Sequence, residues 1–372
     1  MSMPIATKLR LKPLLAELVA MPTVSADKAA CAAALKWCRE QVQGLPLHVT
    51  NYEKNGLSSL ILTTQRTKCP KVLLLAHIDV VPAAAGMFKL TEDNGRYYGR
   101  GAFDMKFAIA GYLKLLHELG DRLPQYDLGV MITSDEEAEG LGVRTLIAEG
   151  WRAGVVLNPD AISGWQIERG VKGILRYRAQ SHGDHGHGSR PWLYRNALTQ
   201  MLDYLQDLRG QFTTEPCDDP DHTHTALSVN VFNAGQVINQ IPHQATAEFE
   251  IRISPTEGLE AVAQKVAAVT KRHAEVSTEA LLGKQSTAIS IAHPYMQLLG
   301  RLITEVSGAI PPLTISHGQS DSFYFREVEV PALTFGTPAG GHHSSKEWID
   351  VKGVEQYYEI IRRFVEAEAR LA

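Results

Sequence analysis

Cysteine is scarce in this chain. Cys31, Cys38, Cys69 and Cys217 are the four in 372 residues, and none forms a CxxC pair. Such sparse use argues against a disulfide framework or a thiolate zinc site and points to a reducing, cytoplasmic setting. Charge of one sign is equally absent. Lys and Arg number 37 against 41 Asp and Glu, a net of −4, so no global basic field exists to attract nucleic acid or an anionic membrane. No apolar run approaches the ~20 residues of a spanning helix. Met1 to Ala20 is interrupted by Lys8, Arg10, Lys12 and Glu17, with Pro13 in its middle; it reads as the first helix of a soluble fold and not as a signal peptide. Familiar motifs are missing too. GRGAFD lacks the third glycine of a dinucleotide fingerprint, LLGKQS lacks the first glycine and the hydroxyl of a phosphate loop, and neither GxSxG nor HExxH occurs.

What is present is an ordinary globular composition, 44% hydrophobic and 21% charged, long enough for two domains or for one carrying an insertion. Lys71 to Ile78 (KVLLLAHI) is a continuous apolar run, the pattern of a strand buried on both faces, and Leu128 to Thr133 and Val155 to Leu157 repeat it. Helical spacing separates these runs, notably from Asp104 to Leu119, so the first third predicts an α/β sheet covered on both sides. Near Gly173 the pattern changes. Ile174 to Gln180, Ala226 to Phe232 and Ala245 to Ile253 alternate apolar and polar positions, with helical stretches at Asn196 to Leu208 and Leu259 to His273. From about Pro294 the first style returns and closes with a helix from Val354 to Ala369. The economical reading is a split α/β domain (1–173 and 286–372) interrupted by a smaller α+β domain (174–285).

Histidines and carboxylates recur where strands of the α/β part end. His77 and Asp79 close AHIDVVPA, Asp104 follows YGRGAFDMK, Glu136 and Glu137 end MITSDEEAEG, Asp160 ends VVLNPD, and His343 lies in GTPAGGHHSSKE. Open α/β folds bind ligands at the carboxyl ends of strands. Two histidines and several carboxylates, without cysteine, suit a pair of zinc or similar ions ~3.5–4 Å apart sharing one carboxylate. An unligated carboxylate beside them would serve as proton acceptor. Each piece alone has a plainer reading: an HxD after a strand is usually structural, Asp104 could be an N-cap, and the acids of DEEAE could be a solvated first helical turn. His182, His185 and His187 form a histidine-rich run whose glycines suggest a loop of the inserted domain. The conjunction of the first set at successive strand ends outweighs the plainer readings.

Taken together, HIDVVP, GRGAFDMK, TSDEEAEG, GHGSRPWLYRNAL, GQVINQIPHQATAEFEIR, HGQSDSF and HHSSKE give the chain a resemblance to the dizinc amidohydrolases typified by acetylornithine deacetylase, succinyl-diaminopimelate desuccinylase, aminoacylase and glutamate carboxypeptidase. The resemblance implies a zinc-exopeptidase-like mixed sheet flanked by helices, with an inserted two-layer, ferredoxin-like lid and dimerisation domain. It implies two divalent ions, zinc ahead of cobalt or manganese. His77, Asp104 and Asp160 would hold one ion and Asp104, Glu137 and His343 the other, with Asp104 as the bridge. His343 is preferred to its neighbour His342 by its spacing to Glu347. Asp79 would orient His77, Glu136 would be the general base, and His187 would polarise the substrate carbonyl, often from the other subunit of a homodimer. Asn239 and Arg252 match substrate-binding positions, the arginine suited to a carboxylate. A cis peptide is implied at Asp104–Met105, and Phe107 stands where a glycine is usual, which predicts crowding at that helix start. The implied activity is hydrolysis of the amide bond of an N-acyl amino acid or small peptide, on a small substrate carrying a carboxylate, with no nucleic-acid or membrane partner. A dipeptidase or tripeptidase recognising a free amine is the alternative; a non-catalytic protein that retains the scaffold is disfavoured by the presence of Glu136 beside a full ligand set.

Overall fold

A computed structural model of the chain describes residues 9–160, 162–212 and 222–371; Cys217 lies outside them. The chain forms two compact units. One runs up to Arg169 and includes Ile289–Thr314 and Ser320–Ala372; the other comprises Gly170–Ala288 and Ile315–Gln319. The short excursion of residues 315–319 into the second unit leaves no mark in composition or periodicity.

The larger unit is built on a mixed sheet. Across it the strands run His48–Lys54, Leu57–Thr63, Leu128–Thr133, Val72–His77, Val155–Asn158, Ala332–Phe335 and Ile167–Val171. Val72–His77 is parallel to both of its neighbours, and Ala332–Phe335 is parallel to Val155–Asn158. The apolar runs are continuous because both faces are covered. Val72, Leu74 and Ala76 join one core cluster with the helices Leu11–Ala20, Lys106–Leu119 and Val351–Glu368. Leu73 and Leu75 join a second, with Leu141–Ala148 and Phe325 on the opposite face. Burying both sides removes the alternation that marks a half-wet strand.

The helix after Asp104 departs from expectation in starting at Lys106, while the Asp104–Met105 peptide is cis, as the resemblance implied. Phe107 does not crowd this turn. It is buried and packs edge-to-face on Tyr357, with ring centroids 4.8 Å apart. Gly101 earlier in the turn has φ +80°, and a Cβ there would come within 2.9 Å of both Lys106 and Val80, so only glycine fits.

The smaller unit is a four-stranded antiparallel sheet in the order Ala226–Ala234, Gln244–Ile253, Gly173–His182 and Val276–Lys284. Ala245, Ala247, Phe249, Ile251 and Ile253 alternate inward and form a core with the helices Ala197–Arg209 and Leu259–Arg272. That is the two-layer α+β arrangement expected of strands with one covered face.

Candidate metal centre

Parallel pairing sets the site's floor. His77 ends its strand directly opposite Thr133, so the residues just beyond them, Asp79 and the turn 134–140, emerge side by side. A small antiparallel sheet supplies the other wall. Trp348–Asp350 pairs with Arg96–Tyr98 and with Ala339–Gly340, which brings the GRGAFD turn against the HHSSKE loop.

The imidazole of His77 is buried and its Nδ1 lies 3.0 Å from the carbonyl oxygen of Asp79. A carbonyl only accepts, so Nδ1 carries the hydrogen and Nε2 faces Asp104 Oδ1 at 3.1 Å and Asp160 Oδ1 at 3.9 Å. Burial alone pulls the ring's pKa down, but Asp104, Asp160 and Asp79 outweigh it and raise it well above 6.5. On Asp104 the other oxygen, Oδ2, has two imidazoles beside it: His342 Nε2 at 2.8 Å and His343 Nε2 at 3.2 Å. Burial raises the Asp104 carboxyl, yet these three histidines hold it well below the ordinary carboxylate range. His343 Nε2 is also 3.0 Å from Glu137.

The acids of DEEAE divide. Asp135 accepts from the N–H groups of Leu141 at 2.6 Å and Gly142 at 3.0 Å, so it caps the helix Leu141–Ala148, but as a buried residue ahead of that helix and not as part of a solvated first turn. Glu136 and Glu137 turn to the cluster instead. Burial, followed by the charge of Asp160, pushes Glu136 well above its usual range, and burial with Asp104 pushes Glu137 up to about 7.

Asp79 occupies its place differently from the expectation. Its carbonyl meets the His77 ring, while the nearer carboxylate oxygen is 3.6 Å from Nδ1. The carboxylate accepts from the backbone N–H groups of Glu136 at 3.3 Å and Glu137 at 3.2 Å and from Ser25 Oγ at 2.7 Å. Its carboxylate therefore braces the turn that carries both glutamates.

Divalent ions fit these donors. His77, Glu136 and Asp160 present ligand atoms within 4.8 Å of one another, and so do Asp104, His342 and His343. Asp160 Oδ2 is buried without a hydrogen-bond partner among the described residues. The lone pairs of the buried His77, Asp104 and Asp160 converge where a cation would offset the cost of burying them, while His342 and His343 stand half open to solvent.

Arg100 and Asp321, which sequence reading did not single out, and Glu347, which it used only as a spacing mark, support the cluster. Arg100 binds Glu347 and also donates to the carbonyls of His343 and Ser344, both at 3.2 Å. Glu347 accepts from the backbone N–H groups of Phe103 at 2.9 Å and Asp104 at 3.1 Å. Asp321, from HGQSDSF, is buried behind Thr133 and accepts from its hydroxyl at 2.8 Å; burial pushes its carboxyl up to about 8. The sequence held only a weak signal for Arg100 and Glu347, single charges beside glycine-rich turns.

In the smaller unit, His187 sits on a two-residue strand opposite Gln240, and the Asn239 carbonyl accepts from Gly188 N–H at 2.8 Å. Ser189 N–H donates to His187 Nδ1 at 3.1 Å, which leaves the hydrogen of a neutral ring on Nε2. His187 and Asn239 are thus brought together. Arg252 is not with them: it lies toward the far end of Gln244–Ile253, about 25 Å along the strand at ~3.3 Å per residue. Its guanidinium also has partners, Glu250 at 2.6 Å and the His317 carbonyl at 2.8 Å.

No described helix is long and apolar enough to cross a membrane. Curated relatives include the succinyl-diaminopimelate desuccinylases of Xanthobacter autotrophicus, 28% identical over 95% of this chain and 97% of the relative, and of Acidovorax ebreus, 27% identical over 93% and 95%. Among solved structures, a tripeptidase from Staphylococcus aureus superposes with a TM-score of 0.75 at 20% identity, covering 98% of this chain and 100% of that one. An aminopeptidase PepT from Bacillus cereus gives a TM-score of 0.78 at 17% identity, covering 97% and 98%. The model of peptidase family M20/M25/M40 matches residues 73–367. The chain belongs to this family of metallo-hydrolases and is an enzyme acting on amide bonds.

Proposed function

We propose that the protein is a two-metal deacylase that hydrolyses the amide bond of an N-acyl amino acid carrying a free carboxylate. The observation that carries the reading is the linked cluster in which His77 and His343 reach the two oxygens of Asp104, Asp160 lies 3.9 Å from His77 and Glu137 3.0 Å from His343, beside a Glu136 that burial raises well above its usual range. The desuccinylase relatives favour an acyl group over a free amine as the substrate's distinguishing end.

His77, Asp104 and Asp160 would hold one ion, and Asp104, Glu137 and His343 the other. Bound there, the ions would supply Lewis-acid polarisation of the amide carbonyl and lower the pKa of the attacking water. Glu136 takes the proton of that water and returns it to the departing amine. Asp79 keeps Glu136 in reach by holding its backbone N–H. His187 donates from Nε2 to the carbonyl oxygen as charge develops on it. Asn239 and Arg252 bind the substrate, with the arginine facing a carboxylate.

The wide separation of His187 and Arg252 within one smaller unit supports a homodimer, in which one active site draws them from different copies. The edge strand Ala226–Ala234 exposes Val231 and Phe232, suited to pairing with a second copy. Zinc is the preferred ion for this nitrogen and oxygen ligand set, and the cytoplasm the expected compartment.

The deciding experiment is a screen of the zinc-loaded protein against N-succinyl and N-acetyl amino acids and unblocked di- and tripeptides. Turnover of the acylated set is expected. Hydrolysis of the unblocked peptides alone would replace the deacylase reading with the peptidase one.

A further inference from the structure

Two neighbouring histidines reach the same oxygen of Asp104, although the sequence spacing selects only one of them. His342 Nε2 is 2.8 Å from Oδ2 and His343 Nε2 is 3.2 Å from it. Successive residues of an extended chain point to opposite sides. Here the alternation is broken because His343 has φ +56° and Gly341 has φ +70°. The loop is fastened in this shape: Ser344 N–H donates to the Gly341 carbonyl at 2.9 Å, and Lys346 N–H to Ser344 Oγ at 3.0 Å. A Cβ on residue 341 would lie 2.2 Å from the Lys346 carbonyl oxygen, so the turn tolerates no side chain there.

The ring of His342 is held on both sides. It leans on His343, with centroids 3.8 Å apart, and meets Phe103 edge-on at 6.0 Å. These contacts use the ring's faces and edges and leave Nε2 aimed at the carboxylate. The ligand atoms of Asp104, His342 and His343 all lie within 4.8 Å of one another, and Glu137 closes the group through His343 at 3.0 Å.

We infer that His342 is a further ligand of the second metal position, which this chain builds from two imidazoles and two carboxylates. The inference rests on the two-metal reading above and adds a residue to it. A cation among these atoms accepts the lone pairs of both rings at once, whereas two hydrogen bonds to one oxygen require both rings to carry hydrogen on Nε2. A second imidazole also shifts selectivity. Zinc and cobalt gain from nitrogen donors, while manganese and magnesium prefer oxygen.

The test uses the full-length protein, stripped of metal and titrated with zinc, cobalt or manganese by calorimetry, with cobalt absorption recorded at each equivalent. The variants are His342→Ala and His342→Gln, the second keeping an N–H donor for Asp104 but offering a poor metal ligand. In both, the affinity of one zinc equivalent is expected to fall by more than about 100-fold, beyond the loss typical of an outer hydrogen-bond partner. Manganese affinity should fall less, and the cobalt spectrum should change only for that equivalent. A His342→Gln protein that binds two zinc ions like the wild type, with an unaltered cobalt spectrum, overturns the inference. So does equal weakening of both equivalents, which marks His342 as part of the frame. A wild-type protein that takes up fewer than two equivalents overturns the two-metal reading itself.

Discussion

The guanidinium of Arg100 donates to the carboxylate of Glu347 at 2.6 Å, and the two side chains are 3% and 0% exposed. This buried pair joins the turn that carries Asp104 to the loop that carries His342 and His343, because each partner also bonds the other segment's backbone. Removing Glu347 strands the Arg100 charge and the backbone N–H groups of Phe103 and Asp104 away from water. Glu347→Ala is expected to cost about 3–5 kcal/mol, seen as a lower urea midpoint at unchanged slope. A loss below about 1 kcal/mol would show that the loops hold their places without the pair.

Glu136 is expected to be separable from metal binding. Glu136→Gln should retain the metal content of the wild type by elemental analysis while kcat falls by about 100-fold or more, the contribution typical of a positioned proton carrier. Turnover near the wild-type value in this variant would remove Glu136 from its role.

Asp79→Asn probes the brace beneath that turn. One carboxylate oxygen accepts from Glu136 N–H, and the other accepts from Glu137 N–H and Ser25 Oγ. Whichever way the amide sits, its NH2 faces a donor. The expected result is a kcat lowered about 10–100-fold with the His77 ring still tied to the residue-79 carbonyl, so metal content changes less than turnover. Ser25→Ala, which removes one donor and leaves the carboxylate, should be milder. Equal activities in the two variants would deny the brace.

Chelation should make stability depend on pH. Burial raises the folded pKa of Glu137 from 4.5 to about 7, so between those values the native state binds more protons than the unfolded one. Stability of the metal-free protein therefore falls as pH rises through this window. Lys106 works in the opposite sense, since burial lowers it to about 7, but only above that value. The melting temperature of the chelated protein is expected to decline from pH 5 to pH 7, and zinc should flatten the slope by offsetting the repulsion among the carboxylates. A metal-free protein whose melting temperature is level or rises across that range would contradict the cause assigned to Glu137.

Much of the architecture was legible because burial on two faces leaves a direct trace. KVLLLAHI is apolar throughout since Val72, Leu74 and Ala76 meet one core and Leu73 and Leu75 the other. The alternating segments of the smaller unit are equally direct, with Ala245 through Ile253 inward at every second position. The ends of the buried strands could be located, and with them His77, Glu137 and Asp160; Asp104 and His343 lie instead in the turn and loop beside the small antiparallel sheet.

Other features have no one-dimensional trace. Asp135 and Glu136 are adjacent acids, yet one caps a helix and the other faces the cluster, because the turn between them sets their directions. Phe107 read as a clash and is a core residue, because Tyr357 from the last helix provides its place.

The sequence by itself determined which chemical groups stand at the ends of the buried strands, since local patterning dictates where a strand stops and which side chains come directly after it. Only the tertiary structure decided how those groups are aimed. The Arg100–Glu347 pair spans 247 positions of chain, His342 turns toward Asp104 through the backbone conformation at Gly341 and His343, and Arg252 is partnered by Glu250 and the His317 carbonyl. Orientation depends on partners distant in sequence and on single backbone dihedrals, and neither is encoded in the period of hydrophobic residues.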